Sequence, residues 1–405
     1  MAASSPTTKP RSIGFVSPAW PPESVANGIA SYTGTIVKAL RELGVTCHVF
    51  SRSVAPGTND PFVHVIHPNF DALYSRVRHR IDPLGWPQKR YADAMLDAIR
   101  EIHSREGLDL VEMEESFGWA GLIAGRCPVP IVVRLHGPWF LNGAANGAPL
   151  DAVFSHRDSM ELVGLKAAAG VTSPSRDVLD QTRQHFKLPL PSAAVISNAA
   201  TIPSDAHWDF DQCDRKHIVF IGRFDRHKGG DVAIRAFAKI LEQRPDAALD
   251  FIGPDRGFTD DAGRNWSLDQ YLQAIIPVRQ RDRVRCHGFL PGPKAAQIRK
   301  KALVTIIPSR YETFGLTAAE ALLAGCPVVV GGAGALTELV EHGRNGLVAR
   351  AGDADDLAEK VLSLLCDPRQ AVALGRQAAL GAARHYAPAV VADAAMQFYR
   401  SLLNR

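Results

Sequence analysis

A chain of 405 residues is long enough for two or three domains at about 150 residues each. Apolar residues make up 46% and charged residues 22%, and the glycines and prolines follow no period, so disordered, collagen-like and low-complexity chains are excluded. Lysine and arginine number 46 against 42 aspartates and glutamates, too small a surplus for a nucleic-acid protein, though it favours visits to an anionic membrane surface.

The opening residues, MAASSPTTKPR, lack the apolar core of a signal peptide. No stretch reaches the ~18 apolar residues of a spanning helix; the most apolar, 326–336, is broken by Pro327 and glycines. Cys47, Cys127, Cys213, Cys286, Cys326 and Cys366 are widely scattered with no CxxC, so neither a disulfide frame nor a zinc site is expected. A reducing cytoplasm is the simplest compartment.

Short apolar runs at 13–17, 45–50, 108–112, 130–135, 170–173 and 194–197 read as strands, and 29–43, 87–103, 150–168 and 176–186 between them as helices. The polar, aperiodic stretch 201–216 reads as an interdomain linker. A second series follows, with strands at 217–221, 249–252, 284–287, 304–308 and 327–330 and helices at 231–243, 295–302, 316–324 and 335–341; from 353 onward the pattern is helical. Such alternation predicts an α/β fold of two tandem doubly wound, Rossmann-like parallel sheets. Sheets of this kind bind ligands beyond the carboxyl ends of their strands, so two facing each other across a cleft would hold a substrate pair.

The strongest chemical signal is PSRYETFGLTAAEALLAG, 308–325. A strand ends at Pro308, a loop carries Glu312, and a helix from about Gly315 carries Glu320. The N–H groups of Thr313, Phe314, Gly315 and Leu316 then lie at the positive end of the helix dipole, an anion site, with room at Gly315 for close approach. Two glutamates at one spacing, by themselves, are better read as a helix-start acid and a solvated face. The second signal, IGRFDRHKGGD at 221–231, puts Arg223 and Lys228 on a strand-to-helix loop. Such a pair can offset the charge of a departing diphosphate without a metal, Arg as a planar fork and Lys as a point charge. A solvated basic loop is the plain alternative.

Together, strand–GR–x4–KG followed by E-x7-E resembles glycosyltransferase family 4, the retaining group 1 enzymes of GT-B fold, over nearly the whole chain, including the Gly-rich turn, NGxL strand and GD helix start that begin at Gly331. The resemblance implies an acceptor-side domain over 1–203, an NDP-sugar domain over 204–385, and a final helix, 386–405, that packs back on the first domain and serves its closure. It implies that Arg223 and Lys228 bind the donor diphosphate and that Glu312 lies by the transferred sugar. Thr313 to Leu316 would then present N–H groups, Glu320 would hold the ribose, and Phe289 and Leu290, after Gly288, would meet the base.

In the first domain the resemblance points to three further places. The Pro-rich loop 18–31 carries Asn27–Gly28 where the family often has two glycines; Gly28 keeps the backbone approach, and Asn27 tolerates the left-handed conformation such a turn uses. His136, in RLHGPW at a strand end, would contact the sugar. Ser175 and Asn198 are acceptor-side candidates, equally readable as a cap and a turn. The triplets at Asp209/Asp211 and Asp353/Asp355 read as a linker turn and a helix cap, so no metal is expected. The stretch 76–91, RVRHRIDPLGWPQKRY, is basic with interleaved aromatics; it suits peripheral membrane contact and a lipid-linked acceptor, or simply a solvated loop.

The expected activity is metal-independent, retaining transfer of a hexose-type sugar from an NDP-sugar to a hydroxyl of a glycan, lipid-linked or small-molecule acceptor, in surface polysaccharide or glycolipid assembly. An NDP-sugar epimerase of the same fold has only His136 and Glu312 for its proton transfers. A nicotinamide oxidoreductase finds a near-fingerprint in VVVGGAGALTE, 328–338, with Thr337 in place of the third glycine. A binder without turnover leaves the four charged site residues unexplained.

Overall fold

The computed structural model describes residues 10–25, 27–68 and 73–404. Most of the opening segment tested for a signal peptide, and Ala26 in the Pro-rich loop, lie outside them. The chain divides into two compact units, residues 1–199 with 388–405, and residues 200–387.

The first unit holds β1 (Ser12–Ser17), β2 (Thr46–Ser51), β3 (Val63–Val65), β4 (Leu110–Glu114), β5 (Ile131–Arg134), β6 (Gly170–Ser173) and β7 (Ala193–Val195). They form one sheet in the order β3-β2-β1-β4-β5-β6-β7, parallel throughout. β1, β4, β5 and β6 are buried at every residue, which is why they read as unbroken apolar runs rather than as alternation. The crossovers carry α1 (Gly28–Glu42), α2 (Leu73–Ile81), α3 (Gly85–Glu106), α4 (Trp119–Ile123), α5 (Trp139–Ala145), α6 (Ala152–Ala167) and α7 (Arg176–Phe186). The basic stretch 76–91 is thus helical across α2 and the start of α3, not an extended loop. Its charges hide a helical spacing that leaves Val77 and Ile81 exposed one turn apart.

The second unit holds β8 (Asp214–Ile221), β9 (Ala248–Ile252), β10 (Phe258–Thr259), β11 (Asn265–Trp266), β12 (Val284–Gly288), β13 (Ala302–Ile307), β14 (Val328–Gly331) and β15 (Leu347–Ala349). Six of them make a parallel sheet in the order β12-β9-β8-β13-β14-β15, and β10 and β11 form a separate antiparallel hairpin. The helices are α8 (Gly230–Gln243), α9 (Leu268–Ile275), α10 (Gly292–Lys301), α11 (Leu316–Ala324), α12 (Leu336–Leu339), α13 (Ala354–Cys366) and α14 (Pro368–Tyr386). The polar stretch read as a linker is anchored in this unit. Trp208 donates its backbone N–H to Ala324 O and its indole N–H to Ala302 O, both at 2.8 Å, and β8 already begins at Asp214. Trp208 and Phe210, both packed on the core of this unit, carry no period in a polar run, so the pattern concealed them.

The last helix, α15 (Pro388–Leu403), belongs to the first unit. Its Val391, Ala392, Ala395, Met396 and Tyr399 join the core formed by Ile13, Phe15, Ile36 and Leu40. Among the described residues no helix is long and apolar enough to cross a membrane.

In each sheet the winding direction reverses once, between β1 and β4 in the first unit and between β8 and β13 in the second. Adjacent strands whose connections leave toward opposite sides open a crevice beyond their carboxyl ends. The loop carrying Arg223 and Lys228 leaves β8, and the loop carrying Glu312 leaves β13, so both predicted motifs flank one such switch point.

Candidate active site

The loop after β8 is built around one buried ring and one carboxylate. Phe224 is fully buried in the core of the second unit, which turns its neighbours outward. Asp225 accepts the backbone N–H of Lys228 at 2.7 Å and Nε–H of Arg223 at 2.6 Å, fixing the turn and the fork together. Gly229 then sits at φ +70°, where a Cβ would collide with the carbonyl oxygen of Pro308. Only glycine lets the loop lie this close to the end of β13.

The two loops are joined by a row of contacts. Lys228 Nζ reaches Glu312 Oε1 at 2.6 Å, and Ser309 Oγ donates to the same oxygen at 2.8 Å. Arg310 grips Asp231 with two bonds of 2.7 Å and donates to Arg226 O at 2.6 Å. The backbone N–H of Arg310 goes to His227 O at 2.9 Å, and His227 Nε2 meets Tyr311 O at 2.8 Å, which makes Nε2 the protonated nitrogen of a neutral ring.

Burial pushes the Glu312 carboxyl upward, but the charge and hydrogen bond of Lys228, with His227 and Ser309, outweigh it and hold the group below the usual carboxylate range. Glu312 is therefore an anion at neutral pH. His227 is held below its ordinary value by burial and by the Lys228 charge.

Immediately after Glu312, Gly315 at φ +92° opens α11, and no side chain caps that helix. The helix opens at Gly315, three residues after Glu312 of the Lys228–Glu312 pair, and its first N–H groups with that pair suit an anion next to a hydroxyl-rich ligand. The side chain of Phe314 is core, packed edge-on against Tyr386 at 5.6 Å, so the loop can offer a ligand only its backbone there. Glu320 is partly exposed on α11 and is engaged by the buried Arg299 at 3.0 Å. Phe289 is 58% exposed beyond β12, and Leu290 is partly buried against a small satellite cluster.

The Gly-rich turn that suggested a dinucleotide fingerprint packs against the back of this loop. A Cβ on Gly331 or Gly334 would strike Ser309 O or Glu312 O, Ala335 N–H donates to Glu312 O at 2.9 Å, and the helix that follows, α12, has four residues. Its glycines serve close packing. Asp209 accepts from Asp211 N–H and Gln212 within a turn, and Asp353 caps α13.

In the first unit Asn27 adopts φ −137°, not the left-handed conformation expected of it. Its side chain caps α1, accepting from Ile29 N–H at 2.8 Å and Ala30 N–H at 3.3 Å. Gly28 has open space around it. Ser175 is buried and caps α7, so its hydroxyl is committed to the fold. Asn198 accepts from the buried Arg134 at 2.6 Å.

His136 follows β5 on a turn held by two buried glutamic acid side chains that carried no sequence signal. Glu115 accepts the N–H groups of His136 at 3.0 Å and Gly137 at 2.7 Å, and Glu161 accepts that of Trp139 at 2.8 Å. Burial and then the Arg134 charge hold the His136 imidazole well below its usual value, so it is neutral at pH 7. The Tyr32 ring meets it edge-on at 5.0 Å. Behind it, Arg134 lies over Tyr32, and the buried Glu112 accepts the hydroxyls of Tyr32 at 2.8 Å and Tyr399 at 2.7 Å. This network ties α1, β4, β5 and α15 together.

The structure thus joins Lys228 to Glu312 directly and Arg223 to the same loop. Glu320, Phe289 and Leu290 stand on neighbouring elements with other partners. Asp225, His227, Asp231, Ser309 and Arg310 complete the second-unit site, and Glu115 and Glu161 support the first-unit turn.

Comparison with known proteins gives matches to both units. Residues 210–380 match the family described as glycosyl transferases group 1, and residues 26–201 match glycosyltransferase family 4. A D-inositol 3-phosphate glycosyltransferase from Catenulispora acidiphila is 25% identical over 399 residues, covering 94% of this chain and 92% of its own length. A glycogen synthase from Mycobacterium tuberculosis is 25% identical over 400 residues, covering 93% and 92%. Among solved structures, sucrose-phosphate synthase from Thermosynechococcus elongatus superposes with a TM-score of 0.71 at 20% identity, over 97% of this chain and 99% of that one. HepE of Anabaena, solved with UDP-glucose, gives 0.65 at 18% identity, over 97% and 100%. The shared architecture is the GT-B fold.

Proposed function

This chain belongs to the group 1, family 4 glycosyltransferases, and from that premise we propose that it is a retaining, metal-independent hexosyltransferase working from an NDP-sugar in surface polysaccharide or glycolipid assembly. The observation that carries the reading is the Lys228–Glu312 pair set beside the uncapped start of α11 at a sheet switch point. A nucleoside diphosphate needs cations and N–H donors, and a sugar needs a fixed carboxylate nearby; here both occur within one hydrogen bond.

In this reading Arg223, Lys228 and the N–H groups from Thr313 to Leu316 take the diphosphate, Glu320 the ribose, and Phe289 and Leu290 the base. As the bond from the anomeric carbon to the β-phosphate oxygen breaks, these donors stabilise the charge that leaves. The acceptor oxygen bonds to the same face of that carbon, and its proton passes to the departing phosphate. Glu312 and the neutral His136 position the sugar, Gly28 gives the donor phosphate a close backbone approach, and Asn27 and Asn198 belong to the acceptor side. Two cations and a helix start replace the divalent metal that would otherwise offset the diphosphate. We also place the protein in the cytoplasm, touching the membrane surface through α2, whose Val77 and Ile81 are exposed beside Arg78 and Arg80.

The deciding experiment offers the pure protein UDP-, GDP-, ADP- and dTDP-sugars in EDTA and follows released nucleoside diphosphate by mass spectrometry. Release from one donor, lost in Lys228→Ala and insensitive to chelation, is the expected result. Absence of binding to every donor overturns the reading, and activity that returns only with Mg²⁺ or Mn²⁺ overturns its metal-free form. With an acceptor in hand, the anomeric configuration of the product by NMR tests retention.

A further inference from the structure

The backbone and the ring of His136 are held by different means. Glu115 fixes the backbone by accepting the N–H groups of His136 and Gly137. Among the described residues, none makes a hydrogen bond to either ring nitrogen. A half-buried imidazole with both nitrogens uncommitted turns about its side-chain bonds unless packing stops it. The ring set against it is that of Tyr32, edge-on at 5.0 Å.

Tyr32 itself is tied from two directions. The Arg134 guanidinium lies over its ring at 4.6 Å, and Arg134 is anchored on Ile196 O at 2.7 Å and Asn198 Oδ1 at 2.6 Å. The Tyr32 hydroxyl donates to Glu112 Oε1 at 2.8 Å, while the Tyr399 hydroxyl donates to the other oxygen, Oε2, at 2.7 Å. A carboxylate whose two oxygens are held by two different hydroxyls cannot turn without breaking one of the bonds. Tyr399 is fully buried on α15 and shares one apolar core with Tyr32. Phenylalanine would fill that space without needing a partner, and a buried carboxylate is costly wherever it is not paired. What the three polar groups add over an apolar packing is a single fixed arrangement of Tyr32.

We propose that Tyr32 is a positioning residue for His136, and that Tyr399 of α15 holds Tyr32 in place through Glu112. The inference rests on the transferase reading above, which puts His136 beside the transferred sugar, and it adds the residues that orient the ring. A turned imidazole spoils the alignment of the reacting groups. That lowers kcat and leaves donor KM nearly unchanged, because the charged contacts to the donor belong to other residues.

The test uses the full chain carrying isotopically labelled histidine, with the His136 ring signals identified by NMR as those missing from His136→Ala. Tyr399→Phe removes only the hydroxyl that bonds to Glu112. The His136 signals should shift in Tyr399→Phe and shift further in Tyr32→Leu, while those of the other histidines stay in place. Turnover is followed as nucleoside diphosphate released from whichever of the UDP-, GDP-, ADP- and dTDP-sugars the protein uses. There kcat should fall about fivefold in Tyr399→Phe and at least about 30-fold in Tyr32→Leu, with KM within about twofold of native. Tyr32→Phe keeps the ring and should recover most of the loss seen in Tyr32→Leu. Should Tyr32→Leu fail to fold, Tyr399→Phe decides, since it leaves the packing volume intact. Unmoved His136 signals in Tyr399→Phe, or a raised KM at native kcat, overturns the proposal. Absence of donor turnover in the native protein, or a His136→Ala variant as active as native, counts against the transferase reading instead, and the NMR comparison still decides what orients the ring.

Discussion

Lys228 and Glu312 lie 84 positions apart in the chain, and nothing in either segment alone says that they meet. Their pairing makes a sharp prediction. Lys228→Ala should lower kcat/KM at least 100-fold, about 2.7 kcal/mol of transition-state stabilisation. The variant should also lose about 2 kcal/mol of stability at pH 7, because a buried carboxylate loses its charged partner. The pH dependence follows from the sign of the shift. In the native chain Glu312 is depressed, so its contribution is present above the ordinary carboxylate range and disappears as pH falls through the lower folded value. Without Lys228, burial dominates and reverses that slope, so the stability gap in urea melts should narrow between pH 7.5 and pH 4.5. The opposite sign operates at Glu161, which burial and then the Glu115 charge push well up. Its protonated form is the one the fold prefers, so stability is lost as pH rises above the ordinary carboxylate range. Glu161→Gln keeps an oxygen for Trp139 N–H and removes the titration. Its Tm should match the native protein near pH 5 and exceed it by about 2–4 °C at pH 8. Neither Glu115 nor Glu161 could be found from sequence, since Glu115 directly follows a strand that itself carries Glu112 and Glu114, and Glu161 sits mid-helix between Met160 and Leu162 with no motif around it.

At the level of elements, the parallel strands were legible because strands covered on both faces are unbroken apolar runs, and α7 and α11 run over the residues predicted for them. What escaped the pattern was short or charged. β10 and β11 have two residues each, too few for any period, and α2 carries Arg78, His79 and Arg80 in its last turn. The site loops were legible as motifs, whereas their mutual fit was not, because it depends on Gly229 meeting Pro308 O. Gly229→Ala should therefore act on activity through the loop. It adds a Cβ at positive φ against a carbonyl, should cost about 1–3 kcal/mol of stability, and should separate Lys228 from Glu312. Its kcat/KM for the preferred donor should fall at least tenfold although no charged group is removed. A fall confined to Tm would show that the loop contact does not set the Lys228–Glu312 geometry.

At the scale of the molecule, the two units are built differently although both sheets are doubly wound. The second is one continuous stretch, 200–387, while the first needs residues 388–405 to complete its core and to place the Tyr399 hydroxyl on Glu112. A fragment spanning 200–387 should accordingly fold and bind the donor nucleotide with an affinity within about tenfold of the full chain by calorimetry. A fragment ending at 199 should fail to give a cooperative melt until residues 388–405 are supplied as a peptide. The same asymmetry bears on how the protein is made. Domains usually fold as they emerge from the ribosome, the amino-terminal one first, at about 5–20 residues per second. Here that order inverts. The amino-terminal half is synthesised first and waits through the whole of its neighbour's translation for its closing helix. During that interval the strip of sheet and helix that α15 covers stays open, so the apolar surface that Val391, Ala392, Ala395, Met396 and Tyr399 bury is exposed until α15 has been made.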